Sequence, residues 1–135
     1  MTLLHPLIQK LKTLDLPTKD YAVFGSGPMM AHGLTESNDL DIIARGEAWK
    51  KAKATGAITK TKSGNDKVEF FDGAVEIFDS WINGEWDINT LINEAEIIDG
   101  IPFVRLEEVL HWKKNRSAPK DAEHSRLIEE YLAKK

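Results

Sequence analysis

Apolar residues recur at helical intervals along the first positions of the chain: Leu3, Leu4, Leu7, Ile8, Leu11 and Leu14, with Lys10 and Lys12 among them. The spacing predicts an amphipathic helix within Met1 to Pro17. Leu16-Pro17-Thr18 interrupts it. The continuous apolar run Tyr21-Ala22-Val23-Phe24 then predicts a buried strand ending in the tight turn Gly25-Ser26-Gly27-Pro28. Pro28 suits the first turn of a helix that carries Met29, Met30 and Ala31 and stops near Gly33. Alternation in Asp39-Leu40-Asp41-Ile42-Ile43 predicts a second strand, and Glu47 to Thr55, closed by Gly56, a third helix.

The pattern then shifts to β. Ile58 to Thr61 reads as an edge strand, and Lys67 to Phe71 with Ala74 to Asp79 reads as a hairpin around Asp72-Gly73, a pair that permits the positive φ angles of a two-residue type I′ turn. Glu96 to Ile98 and Ile101 to Val104 repeat this around Asp99-Gly100, with a short helix over Trp86 to Ile92 between the hairpins. Apolar stripes at Leu106, Val109, Leu110 and Trp112, and at Leu127, Ile128, Tyr131 and Leu132, predict two closing helices, Leu106 to Lys114 and Ala122 to Leu132. Asn115 to Lys120 is the basic linker between them. No internal repeat or low-complexity segment interrupts the chain, so the expectation is one α/β (α+β) domain over residues 1–135, a mixed sheet flanked by helices.

Composition narrows the chemistry. With 41% hydrophobic residues, four tryptophans and five phenylalanines, the chain lies far from the composition of disordered segments. It has no cysteine, which removes disulfides, thiolate nucleophiles and cysteine-based metal sites. The net charge of −4 argues against coating nucleic acid by general electrostatics. No apolar run reaches the ~20 residues of a membrane span, and the first helix lacks the charge-then-apolar order of a secretory signal. The expectation is a cytoplasmic protein without a membrane partner.

Three carboxylates fall on predicted strands among apolar neighbours: Asp39 and Asp41 in Asp-Leu-Asp-Ile, and Glu76 in Val-Glu-Ile. Residues two apart on a strand point the same way, ~7 Å apart at the backbone, so Asp39 and Asp41 present two clusters of hard oxygen donors suited to Mg²⁺, whose coordination substrate phosphates commonly complete. A solvated pair of aspartates at a sheet edge is the plain alternative. Gly25-Ser26-Gly27, between a strand and a helix, offers free backbone N–H groups and a hydroxyl to an anion. Met30 stands where a dinucleotide fingerprint needs its third glycine, and no Walker lysine follows. His5, His32, His111 and His124 show no metal-binding spacing, and Trp49, Trp81, Trp86 and Trp112 read as core or rim residues, Trp81 lying close enough to Asp79 to flank a cleft, with a wall for a nucleobase as the alternative there.

In order and spacing, Phe24-Gly25-Ser26, a gap of twelve residues, Asp39-Leu40-Asp41-Ile42, and Val75-Glu76-Ile77 resemble the signature of the polymerase β-like nucleotidyltransferase superfamily, here in a minimal, small form. The stretch Lys113-Lys114-Asn115-Arg116-Ser117-Ala118-Pro119-Lys120-Asp121 also looks like the end of the family's small members. The resemblance implies the nucleotidyltransferase fold, with Gly25 and Ser26 on the triphosphate of an incoming NTP such as ATP, and Lys113 and Arg116 as further triphosphate contacts. It implies two Mg²⁺ ions, or Mn²⁺ in their place, held by Asp39, Asp41 and Glu76. Glu69 satisfies the same local pattern as Glu76, which is preferred because the family's third carboxylate lies on the outgoing strand of the hairpin. The implied activity is transfer of a nucleoside monophosphate to a hydroxyl of a small molecule, an RNA end or a protein, with pyrophosphate released. A silent nucleotide-binding module with a small helical partner protein, as in a toxin–antitoxin pair, and a metal-dependent phosphohydrolase are the alternatives.

Overall fold

The computed structural model describes residues 5–81, 86–116 and 118–134; Leu3 and Leu4 of the first predicted helix and Ser117 of the predicted linker lie outside them. The elements follow in the order α1 (Pro6–Thr13), β1 (Tyr21–Phe24), α2 (Gly27–Ala31), β2 (Leu40–Ala44), α3 (Gly46–Thr55), β3 (Ala57–Lys60), β4 (Asp66–Phe70), β5 (Val75–Phe78), α4 (Ile88–Asn93), β6 (Glu96–Ile98), β7 (Ile101–Phe103), α5 (Leu106–Lys114) and α6 (Pro119–Ala133). The seven strands form one mixed open sheet in the order β3-β4-β5-β2-β1-β7-β6. β2 runs antiparallel to β1 but parallel to β5, and β7 runs parallel to β1.

Strand alternation sorts the side chains into two cores. Val23, Leu40, Ile42, Val68, Val75 and Ile77 face Leu7, Ile8 and Leu11 of α1 and Ala48 and Ala52 of α3. Ala22, Phe24 and Ile43 face the other way, onto Met29, Leu91, Ile92, Val109, Trp112 and Ile128 of the remaining helices. Near-continuous apolar runs in β1 and β2 are what a sheet covered on both faces requires. By the same alternation Asp41, Glu76 and Glu69 lie in one row on the second face, because Asp41 is in register with Glu76 and Glu76 with Glu69.

Three expectations are corrected. The first hairpin keeps its predicted register and has positive φ at Asp72 (58°) and Gly73 (87°), but Phe71 is also left-handed (φ 55°), so the last ladder pair is Phe70 with Val75 and the connection has four residues. Lys10 sits over the Phe71 ring at 5.4 Å. The Asp99-Gly100 turn does have two residues, with Ile98 paired to Ile101. Second, α6 begins at Pro119 rather than Ala122, since proline fixes a helical φ and needs no N–H partner at that position. Third, Asp39 precedes β2 rather than lying within it. Among the described residues no helix is long and apolar enough to cross a membrane.

Candidate functional site

A cleft of about 750 Å³ opens where β1 ends and β2 begins. Gly25, Ser26, Asp39 and Asp41 line one side of it, Trp112, Lys113, Arg116, Lys120, Asp121 and His124 line another, and the loop between β3 and β4 contributes Thr61, Lys62, Ser63 and Asn65. Six of the seven residues singled out in the sequence therefore meet at one cleft. Glu76 is the exception.

On the strand side, Gly25 adopts φ +63°, and a Cβ built there would stand 3.0 Å from Asp41 Oδ2. Glycine thus serves two needs, a left-handed turn and room for the carboxylate. Ser26 Oγ lies 3.4 Å from Ser37 Oγ, and buried Ser37 donates to the Asp39 carbonyl at 2.5 Å, which holds the approach to β2 against the glycine turn. The Asp41 carboxyl is pushed up to about 6, by burial first and then by the charges of Asp39 and Glu76; Lys67 and Arg116 oppose this. Neither aspartate has a cation within ion-pair distance among the described residues. These two carboxylates supply hard oxygen donors with an unmet demand for positive charge, a donor set that fits a divalent ion.

Glu76 stands beside Asp41 in the sheet but makes an ion pair and hydrogen bond with Lys67. The same ammonium lies 3.3 Å from Glu69 Oε2. The hydrogen bond to Glu76 is the main reason that Lys67 is held above the ordinary lysine range. Glu69, the less preferred candidate for the third carboxylate, is the direct cross-strand neighbour of Glu76 and shares its cation. No group of three or more histidine, aspartate or glutamate side chains among the described residues is placed to hold one metal ion as they stand.

The helical side is built around a buried acid. Asp121, 1% exposed, receives Lys113 Nζ at 3.4 Å on one oxygen and Arg116 Nε at 3.2 Å on the other, while Lys113 itself is only 4% exposed. Burial would raise the Asp121 carboxyl, but the Arg116 hydrogen bond and the two cations outweigh it and hold the group below its usual range. Lys113 is lowered, chiefly by burial. Burial and the neighbouring Lys113 charge also hold the His124 imidazole low. Trp112 supports both cations, with Lys113 Nζ 4.9 Å and the Arg116 guanidinium 4.8 Å from its ring centroid.

Aromatic packing brings the two sides together. Phe24, the last residue of β1, stacks on Trp81 at 4.6 Å and meets Trp112 at 5.3 Å. Trp81 therefore lines the cleft as a buried core residue, as its reading as a core or rim residue beside a cleft anticipated. His32 lies elsewhere, between Glu96 and Tyr131, and ties α2 to β6 and α6.

Sequence reasoning missed the roles of Asp121 and Lys67. Asp121 closes the basic stretch noted in the sequence, but nothing local shows its burial, which depends on how α6 meets α5. Lys67 did leave a signal: the hairpin register sets Glu69 against Glu76, and like charges directly opposite each other call for a neighbouring cation. Comparison of the chain with family models, with curated proteins and with solved structures gave no match.

Proposed function

We propose that this protein is a divalent-metal-dependent nucleotidyltransferase of the polymerase β-like type, moving a nucleoside monophosphate from an NTP to a hydroxyl acceptor with release of pyrophosphate. The observation that carries the reading is charge arrangement in one cleft: among the described residues Asp39 and Asp41 lack a counter-cation on one side, and Lys113 and Arg116 are anchored as cations on another. A triphosphate with its metal ion is a ligand that satisfies both. Asp39 and Asp41 would hold a Mg²⁺ ion, which when bound neutralises phosphate charge and aligns the transferred phosphoryl group.

The chain's own residues then divide the work. Gly25 leaves its backbone open to close approach, and the Ser26 hydroxyl is free to turn from Ser37 toward a phosphate oxygen. Arg116 is 42% exposed along its side chain and can keep one edge of its guanidinium on Asp121 while presenting N–H donors to the cleft. Buried Lys113 contributes positive charge from behind it. Glu76, in register with Asp41 on the same face of the sheet, is the carboxylate assigned to the acceptor hydroxyl. Motif order from Phe24 to Ile77 supports the same assignment.

Titration calorimetry with ATP, GTP, CTP and UTP, each with and without Mg²⁺, tests the reading. Binding should require the divalent ion, vanish in Asp41→Asn and weaken about tenfold in Arg116→Gln, the latter effect shrinking as salt rises. Labelled transfer to RNA, protein or hydroxylated small molecules should accompany pyrophosphate release. Release of phosphate alone would identify a hydrolase, and MgNTP binding with no transfer to any acceptor class would identify a binding module. Nucleotide binding indifferent to divalent ions would overturn the proposal.

A further inference from the structure

The row Asp41, Glu76, Glu69 crosses three adjacent strands on one face of the sheet, and its members are treated unequally. Among the described residues Asp41 has no ion-pair partner, whereas Glu76 and Glu69 both engage the Lys67 ammonium, which approaches from β4. Lys67 is fixed there by more than chance contact. It is in register with Phe78 on the same face, one alternation from Glu69, so a strand-borne side chain of its length spans the two glutamates. Its side chain is 21% exposed, and the two carboxylates beside it are 30% and 24% exposed, so the charges meet in a partly desolvated place where pairing is worth more than at an open surface. Thr59, on the edge strand, adds a hydroxyl directed at Glu69 Oε2 at 3.4 Å.

We infer that Lys67 is a built-in cation at the third carboxylate, so that the cleft takes one divalent ion with its nucleotide where three free carboxylates would take two. This rests on the nucleotidyltransferase reading above. A row of three unpaired acids would repel until two ions relieved it; here two of the acids share a positive charge supplied by the chain, and only the Asp39–Asp41 end remains unrelieved. An ammonium group neutralises charge without accepting a further oxygen ligand. Lys67 thereby positions Glu76 and supplies a counter-charge beside it, leaving the acceptor side of the cleft without a second coordinated ion.

Equilibrium dialysis of Mn²⁺, with α,β-methylene-ATP at equal concentration on both sides, counts the ions the protein holds. The parent should bind one Mn²⁺ per chain, Lys67→Met two, and Lys67→Arg one, because arginine restores the fixed charge. Glu76→Gln serves as the second variant should Lys67→Met fail to fold: since Lys67 already occupies that carboxylate, the count should stay at one. Two ions on the parent, one on a folded Lys67→Met, or none on Glu76→Gln would each overturn the inference while leaving the functional reading in place. A parent that binds neither Mn²⁺ nor the analogue would overturn both.

Discussion

The strand side and the helical side of the cleft hold comparable numbers of charged groups, yet they balance them in opposite ways. On the helices one buried acid, Asp121, receives two cations, and the cost of removing it from water is offset by Lys113, Arg116 and the Trp112 ring. On the strands Asp39 and Asp41 share a location with Glu76 nearby, and no cation pairs with either aspartate among the described residues. One side pairs its acid as folded and the other does not. The difference locates where a ligand has something to add: positive charge beside Asp41, and negative charge along the outer edge of Arg116.

The contrast is most sharply broken through Asp121. Asp121→Ala leaves buried Lys113 without its partner, and removing one member of such a pair costs about 3–5 kcal/mol. Urea denaturation should show the loss as a lowered midpoint at unchanged slope. A cost below about 1 kcal/mol would mean that the helical side is not held together by this ion pair.

Asp41→Asn should act with the opposite sign. The Asp41 carboxyl titrates near 6 when folded, against 3.8 as the unperturbed value, so between these the folded chain binds more protons than the unfolded one. Stability contributed by this group is therefore greatest below about pH 4 and falls as pH rises through 6. Asp39 and Glu76 face the group and sharpen the fall, while Lys67 and Arg116 blunt it. At pH 8 the asparagine variant should be more stable than the parent by on the order of 1–2 kcal/mol, with a flatter profile between pH 4 and 6. Thermal melts over that range check it; an unchanged slope would show that the strand side is already balanced.

Gly25→Ala gives an effect of similar size in the opposite direction. The left-handed φ and the 3.0 Å approach to Asp41 Oδ2 should together cost about 1–2 kcal/mol, and displacement of the carboxylate should shift the pH profile with it. Chemical denaturation at pH 5 and pH 8 measures both. If stability drops while the profile is unmoved, the glycine serves its turn alone and not Asp41.

Much of the fold was legible because it rests on local patterns. Periodicity located both hairpins, the edge strand and the amphipathic helices, and the ends that moved were those where a single residue could tip the balance, Phe71 by turning left-handed and Pro119 by opening a helix. The candidate site was legible where its residues are close in sequence or tied by strand alternation, as at Gly25, Ser26, Asp39 and Asp41.

What the sequence determined by itself was therefore the set of elements, the two-faced burial of the central strands and the presence of unshielded carboxylates among apolar neighbours. Only the tertiary structure decided which of those carboxylates is free. Lys67 lies nine residues from Glu76 and Asp121 eight from Lys113, separations at which contact depends on strand pairing and on the meeting of two helices. A charge's partner is set by distances of a few ångströms in space, to which hydrophobic periodicity is blind, because Coulomb energy depends on separation and local dielectric and not on position along the chain.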